Sequence, residues 1–170
     1  MSRLSLRAAL ALAGILITIG GCAESPSSSV TPSEEWQLVA RADGPSFSRS
    51  GGGSASELIG PAGGTVTLGE NRLVFPKGAL AQGTVITMTQ DPRYAGVQLQ
   101  PHGLQFPTGR EPVLTLSGGG SSLASFRQVA IAYVGDSGQI LEILPTTALG
   151  KSGKFRTELQ HFSAYVLGGS

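Results

Sequence analysis

Thr84-Val85-Ile86-Thr87-Met88-Thr89 reads as an alternation of apolar and polar side chains. A period of two sends successive side chains to opposite faces, as in a strand that buries one face and wets the other. Thr65-Val66-Thr67-Leu68 and Arg72-Leu73-Val74-Phe75 lie upstream, flanking a Gly69-Glu70-Asn71 turn. Downstream come further runs at Val97 to Leu99, Pro112 to Leu116, Gln128 to Val134, Gln139 to Leu144, Lys154 to Leu159 and Phe162 to Leu167. The 25 glycines and 10 prolines fall largely between these runs, where they act as turn punctuation. Short strands at close spacing predict an all-β fold, an antiparallel β-sandwich or barrel, over residues 57–170.

The chain before Glu57 has a different texture. Two cations, Arg3 and Arg7, precede an apolar stretch from Ala8 to Ile19, which ends in Gly20-Gly21-Cys22. A charged start, an apolar middle and small residues at the cut describe a secretory signal peptide over residues 1–21. The apolar part is about a dozen residues, short of the ~20 needed to cross a bilayer as a helix. Residues 22–56 are poor in core material. Ala23 to Pro32 is Ser/Pro-rich and Ser46 to Ser56 is Ser/Gly-rich, the composition of a flexible linker. Between them Glu34 to Ala40 reads as either a short strand or a helical turn, with Trp36 available to dock on the domain.

Composition narrows the function classes. About 150 residues remain after position 21, enough for one domain and a tail. The formal net charge is +1, without the basic patch that a nucleic-acid partner requires. Cys22 is the only cysteine, so the exported fold rests on its core and not on disulfides.

Enzyme motifs are scarce. Gly135-Asp136-Ser137-Gly138 resembles the surroundings of a trypsin-like nucleophile, but it sits between two apolar runs and reads as a hairpin turn. Lys151-Ser152 follows Gly150, yet Pro145 stands where the first glycine of a phosphate loop belongs. Two distant histidines, His102 and His161, make no metal motif. The sequence therefore predicts no cofactor, no metal and no turnover chemistry.

Two resemblances add to this reading. Ile19-Gly20-Gly21-Cys22 resembles the bacterial lipobox, which implies a mature chain that begins at a diacylglycerol-bearing Cys22 and is anchored in a membrane. A thiolate suits that alkyl transfer, and several acyl chains give stable anchoring where one does not. Ala23 after the lipidated residue implies outer-membrane sorting if the source has two membranes.

The second resemblance covers about Glu57 to Gly168. Ile59-Gly60-Pro61-Ala62-Gly63-Gly64-Thr65-Val66 followed by Leu73-Val74-Phe75-Pro76-Lys77-Gly78-Ala79-Leu80 resembles the opening of the ZU-five-type domain of ankyrins, netrin receptors and the zonula occludens protein. Leu99 to Phe106, then Pro112 to Leu116 and a closing His-Phe-Ser strand, are similar to segments of its exported bacterial relatives. The resemblance implies a β-sandwich with a structural or protein-interaction role at the cell envelope.

Some members cleave themselves at His-Phe-Ser. Carried over, Ser163 attacks the carbonyl of Phe162 and His161 serves as base. On a regular strand, Phe162, Ala164 and Val166 share one face and His161, Ser163, Tyr165 and Leu167 the other. Residues two apart are roughly 6.6 Å apart along a strand. His161 therefore reaches Ser163 only if the chain kinks at Phe162. The plain alternative is a last strand with Phe162 in the core. A third reading is a glycan- or ligand-binding sandwich, for which Tyr94 beside Asp91-Pro92-Arg93 is the best loop aromatic.

Overall fold

The computed structural model describes residues 36–41, 53–119, 121 and 123–170. The expected signal peptide, Cys22 and most of the expected linker lie outside the described residues. Alternation builds the strands where the sequence places them. Gly64–Leu68 (β3) and Asn71–Phe75 (β4) pair in register across Gly69-Glu70, with Gly69 in the left-handed region at φ +60°. Asn71 is buried, and its Oδ1 accepts the N–H of Ser117 at 2.9 Å, which ties this hairpin to a neighbouring strand.

All the paired strands are antiparallel and form two sheets. The larger contains Ser54–Ile59 (β2), Thr84–Gln90 (β5), Gly96–Gln100 (β6), Val129–Val134 (β8), Ile140–Ile143 (β9) and Ala164–Gly169 (β12), in the order β2-β5-β6-β12-β8-β9. Gln37–Leu38 (β1) also pairs with β12, making seven strands. The smaller sheet adds Val113–Ser117 (β7), Thr147–Ala148 (β10) and Lys154–Glu158 (β11), in the order β10-β11-β7-β4-β3. Among the described residues the one helical element is a 3-10 turn, Leu123–Ser125. None of them forms a helix long and apolar enough to cross a membrane.

The expected all-β sandwich is the observed fold. Its main core lies between the sheets, where Val66, Leu73, Ile86, Met88, Leu114, Leu116 and Ile131 are fully buried. A second cluster (Ala132, Val134 and Val166) packs with Leu38, Tyr94, Ile140 and Ile143. Ala132 and Val134 alternate along β8 with Ile131 of the main core, so this cluster covers the outer face of the larger sheet.

The domain starts earlier than its composition suggests. Ser54, Ala55 and Ser56 lie in the stretch expected to be linker, yet they pair with Thr89, Met88 and Thr87. Ser56 and Thr87 also share a hydroxyl hydrogen bond of 2.8 Å across the strands. A serine-rich run looks unable to support structure until a threonine-bearing partner strand lies beside it. Gln37–Leu38 settles the open choice at Glu34 to Ala40 as a strand within its described part. Val39 is 2% exposed and belongs to the main core, and Trp36 packs over Gly168.

Candidate functional site at the Phe162-Ser163 bend

Between β11 and β12 the chain crosses from the smaller sheet to the larger through Leu159 to Ser163. The connection from β6 to β7 crosses beside it in the opposite direction, and the two exchange main-chain hydrogen bonds. Phe106 N–H donates to the Gln160 carbonyl at 3.1 Å, Phe162 N–H to Leu104 at 2.8 Å, and Gly103 N–H to Phe162 at 3.0 Å. Gln105 and His161 form an antiparallel bridge within this pairing.

Regular alternation then fails. Phe162, Tyr165 and Leu167 all enter the main core, while Ala164 and Val166 join the outer cluster. Phe162 and Tyr165 are three apart, an odd spacing that one strand phase cannot place on a single face. The chain bends at Ser163 and the pleat slips by one residue there. The face assignment expected from sequence is thus corrected: Phe162 lies with Tyr165 and Leu167, not with Ala164 and Val166. The cause is Phe162, whose ring stacks edge-on against Phe106 at 5.1 Å and Phe75 at 6.0 Å. Holding it there while Tyr165 also points inward requires the bend.

The bend separates the two residues that the His-Phe-Ser resemblance pairs. His161 and Ser163 line different cavities. Ser163 is 3% exposed, and its Oγ lies 3.3 Å from Nε2 of His102. Its own carbonyl accepts the N–H of Leu99 at 2.9 Å. The cavity beside it holds about 180 Å³ and is bordered by His102, Asp91, Tyr94, Asp136 and Val134.

His161 turns instead into a cleft of about 630 Å³ at the open side of the sandwich. That cleft is lined by two segments that cross between the sheets, Leu144-Pro145-Thr146 and Gln160-His161, with Glu111, Glu142, Glu158 and Arg156 beside them. The imidazole packs edge-on against Tyr133 at 5.0 Å, and its Nδ1 is 3.4 Å from the Tyr165 hydroxyl. That hydroxyl donates to the His161 carbonyl at 2.6 Å.

Burial, with Tyr133 and Glu142 adding repulsion, pushes the Tyr165 phenol above its ordinary value. The unfolded chain ionises first, at about 10. The contribution of this residue is therefore full below about pH 10 and is lost as the pH rises beyond it. Urea unfolding at about pH 9 and about pH 11 should show a smaller loss of stability for Tyr165→Phe than for the parent. Equal losses would assign the alkaline sensitivity to other groups.

Gly135 to Gly138 is a hairpin turn closed by Gly138 N–H to the Gly135 carbonyl at 2.8 Å, and Ser137 bonds to the Gln139 side chain. Tyr94 is half-buried, packed on the outer cluster and covered by the Arg93 guanidinium 5.3 Å from its ring centre. Its ring is not the free platform that glycan stacking uses. Among the described residues no three His, Cys, Asp or Glu side chains gather as metal ligands. No protein-family model matches this chain, and no curated protein matches it.

His102 is the functional candidate that sequence reasoning passed over. It lies 61 residues from Ser163, so no local spacing connects them. The link is made only when β6 pairs with β12, which sets Gln98 opposite Ala164.

Proposed function

We propose that the chain is a lipid-anchored cell-envelope protein whose β-sandwich has a structural or protein-interaction role. The membrane contact is the lipid on Cys22, and Ala23 favours the outer membrane of a two-membrane bacterium. The observation that carries the interaction role is the open cleft of about 630 Å³, a size suited to inserted side chains of a partner. Glu111, Glu142, Glu158 and Arg156 at its border offer polar contacts of both signs.

Two measurements test this reading. Labelled palmitate fed to producing cells should enter the parent and not Cys22→Ser, and only the parent should sediment with membranes. Membrane association that survives Cys22→Ser removes the lipid anchor. A photo-crosslinker placed at Thr147, on the cleft, should give a discrete adduct in intact cells that is absent when it is placed at Leu141. Identical patterns from both sites would move the interaction elsewhere.

A second reading is a module of the same fold that cleaves itself once between Phe162 and Ser163. The loss of strand phase at Ser163 favours it, because a peptide bond that reacts must leave the regular pleat.

A further inference from the structure

We propose that His102, and not the adjacent His161, is the base that activates Ser163, and that the N–H of Gly103 holds the oxyanion formed at Phe162. The inference rests on the self-cleavage reading and assigns its chemistry.

A serine hydroxyl at neutral pH needs a neighbouring base to attack a carbonyl. Here the side-chain partner of the Ser163 hydroxyl is Nε2 of His102 at 3.3 Å, a separation common for a nucleophile and base before the reacting geometry tightens. His161 directs Nδ1 to the Tyr165 hydroxyl and packs its ring on Tyr133, in the other cavity. The second requirement is a donor on the carbonyl oxygen that gains charge. Gly103 N–H already donates to the Phe162 oxygen at 3.0 Å.

Two consecutive residues of one turn thus reach the two atoms whose charge changes. The scissile peptide is clamped on both sides, by Phe162 N–H to Leu104 at 2.8 Å and by Leu99 N–H to the Ser163 carbonyl at 2.9 Å. The same Leu99 to Leu104 segment supplies base, donor and clamps, so they keep their relative positions.

The step balances without an oxidant or a cofactor. Ser163 Oγ bonds to the Phe162 carbonyl carbon and closes a five-membered ring, while its proton passes to His102 Nε2. The ring collapses with cleavage of the C–N bond, and His102 returns the proton to the Ser163 nitrogen. Water entering through the cavity of about 180 Å³ then hydrolyses the ester, leaving a Phe162 carboxylate and a free Ser163 amine and hydroxyl. The net change is the addition of one water.

The test is a time course of the full chain made by cell-free translation, denatured at intervals and weighed intact. The parent should release Ser163–Ser170, and Ser163→Ala should not. His102→Ala should slow release by about 100-fold or more, with added imidazole restoring part of the rate. His161→Ala should cut at the parental rate. Circular dichroism checks that each variant folds, and His102→Gln replaces His102→Ala if the latter does not. If His161→Ala stops cleavage while the His102 variants cut normally, the assignment is overturned and self-cleavage stands. If the parent yields a single full-length mass, the self-cleavage reading falls and this assignment falls with it.

Discussion

Phe162→Ala should lower the stability of the domain by about 3–5 kcal/mol, the range for deleting a fully buried aromatic ring. Phe162 is 0% exposed and sits where two crossing segments meet, against Phe75 and Phe106. Backbone hydrogen bonds fix the chain on each side, so the surroundings collapse poorly into the space the ring leaves. Edge-on ring contacts add about 0.5–1.5 kcal/mol each beyond the area buried. In a domain of this size the loss corresponds to a fall in Tm of roughly 10–20 °C.

Val166→Ala is the informative companion. Val166 is also buried, but it belongs to the outer cluster and loses a smaller side chain. It should cost about 1–2 kcal/mol, by the same transfer argument. Urea unfolding of both variants measures the comparison. A cost below about 1 kcal/mol for Phe162→Ala would place the ring outside the core and restore unbroken strand phase through Ser163.

This pair of residues also shows how far the sequence is legible. The pattern of apolar runs between turn residues located β3 to β9, β11 and β12 to within a residue or two. The runs alternate in β5 and β11, where one face is wetter, and are nearly continuous in β8 and β12, which are covered on both faces. Alternation failed at His161 to Ser163 because the forces there are tertiary. The Phe75 and Phe106 rings draw Phe162 inward against the phase of Tyr165, and both lie more than fifty residues away in the chain. The pairing of His102 with Ser163 is hidden for the same reason. The motif His161-Phe162-Ser163 advertises its neighbour as the base, while the sheet order delivers the other histidine.

The N-terminal boundary fails differently, and with a measurable consequence. Composition places the start of the domain at Glu57, whereas the fold starts with β1 and the first half of β2. A chain beginning at Glu57 should therefore be less stable than one beginning at Ala23 by about 3 kcal/mol. Burial of Val39 alone contributes about 1.5–3 kcal/mol. Trp36 over Gly168 and Leu38 in the outer cluster add to it. The entropy of ordering these residues offsets part of that gain, which keeps the net figure below the sum.

Hydrogen bonding points the same way. Val39 N–H donates to Leu167 at 2.8 Å and the Val39 carbonyl accepts from Ala95 at 2.9 Å, so β1 completes the edge of the central strand β12. Without it, that edge and the side of Val39's pocket open to water. A chain beginning at Gly53 separates the contributions, since it keeps all six β2 residues and loses β1. It should fall between the other two. Thermal unfolding of the three chains is the measurement, with a difference of roughly 10 °C expected between the longest and the shortest. Equal Tm values would show that β1 contributes no net stability, and β2 would then be the first strand the fold requires. With the expected difference, Gln37–Leu38 is an energetically integral strand of the larger sheet, held against Gly168 and Gly169 of β12.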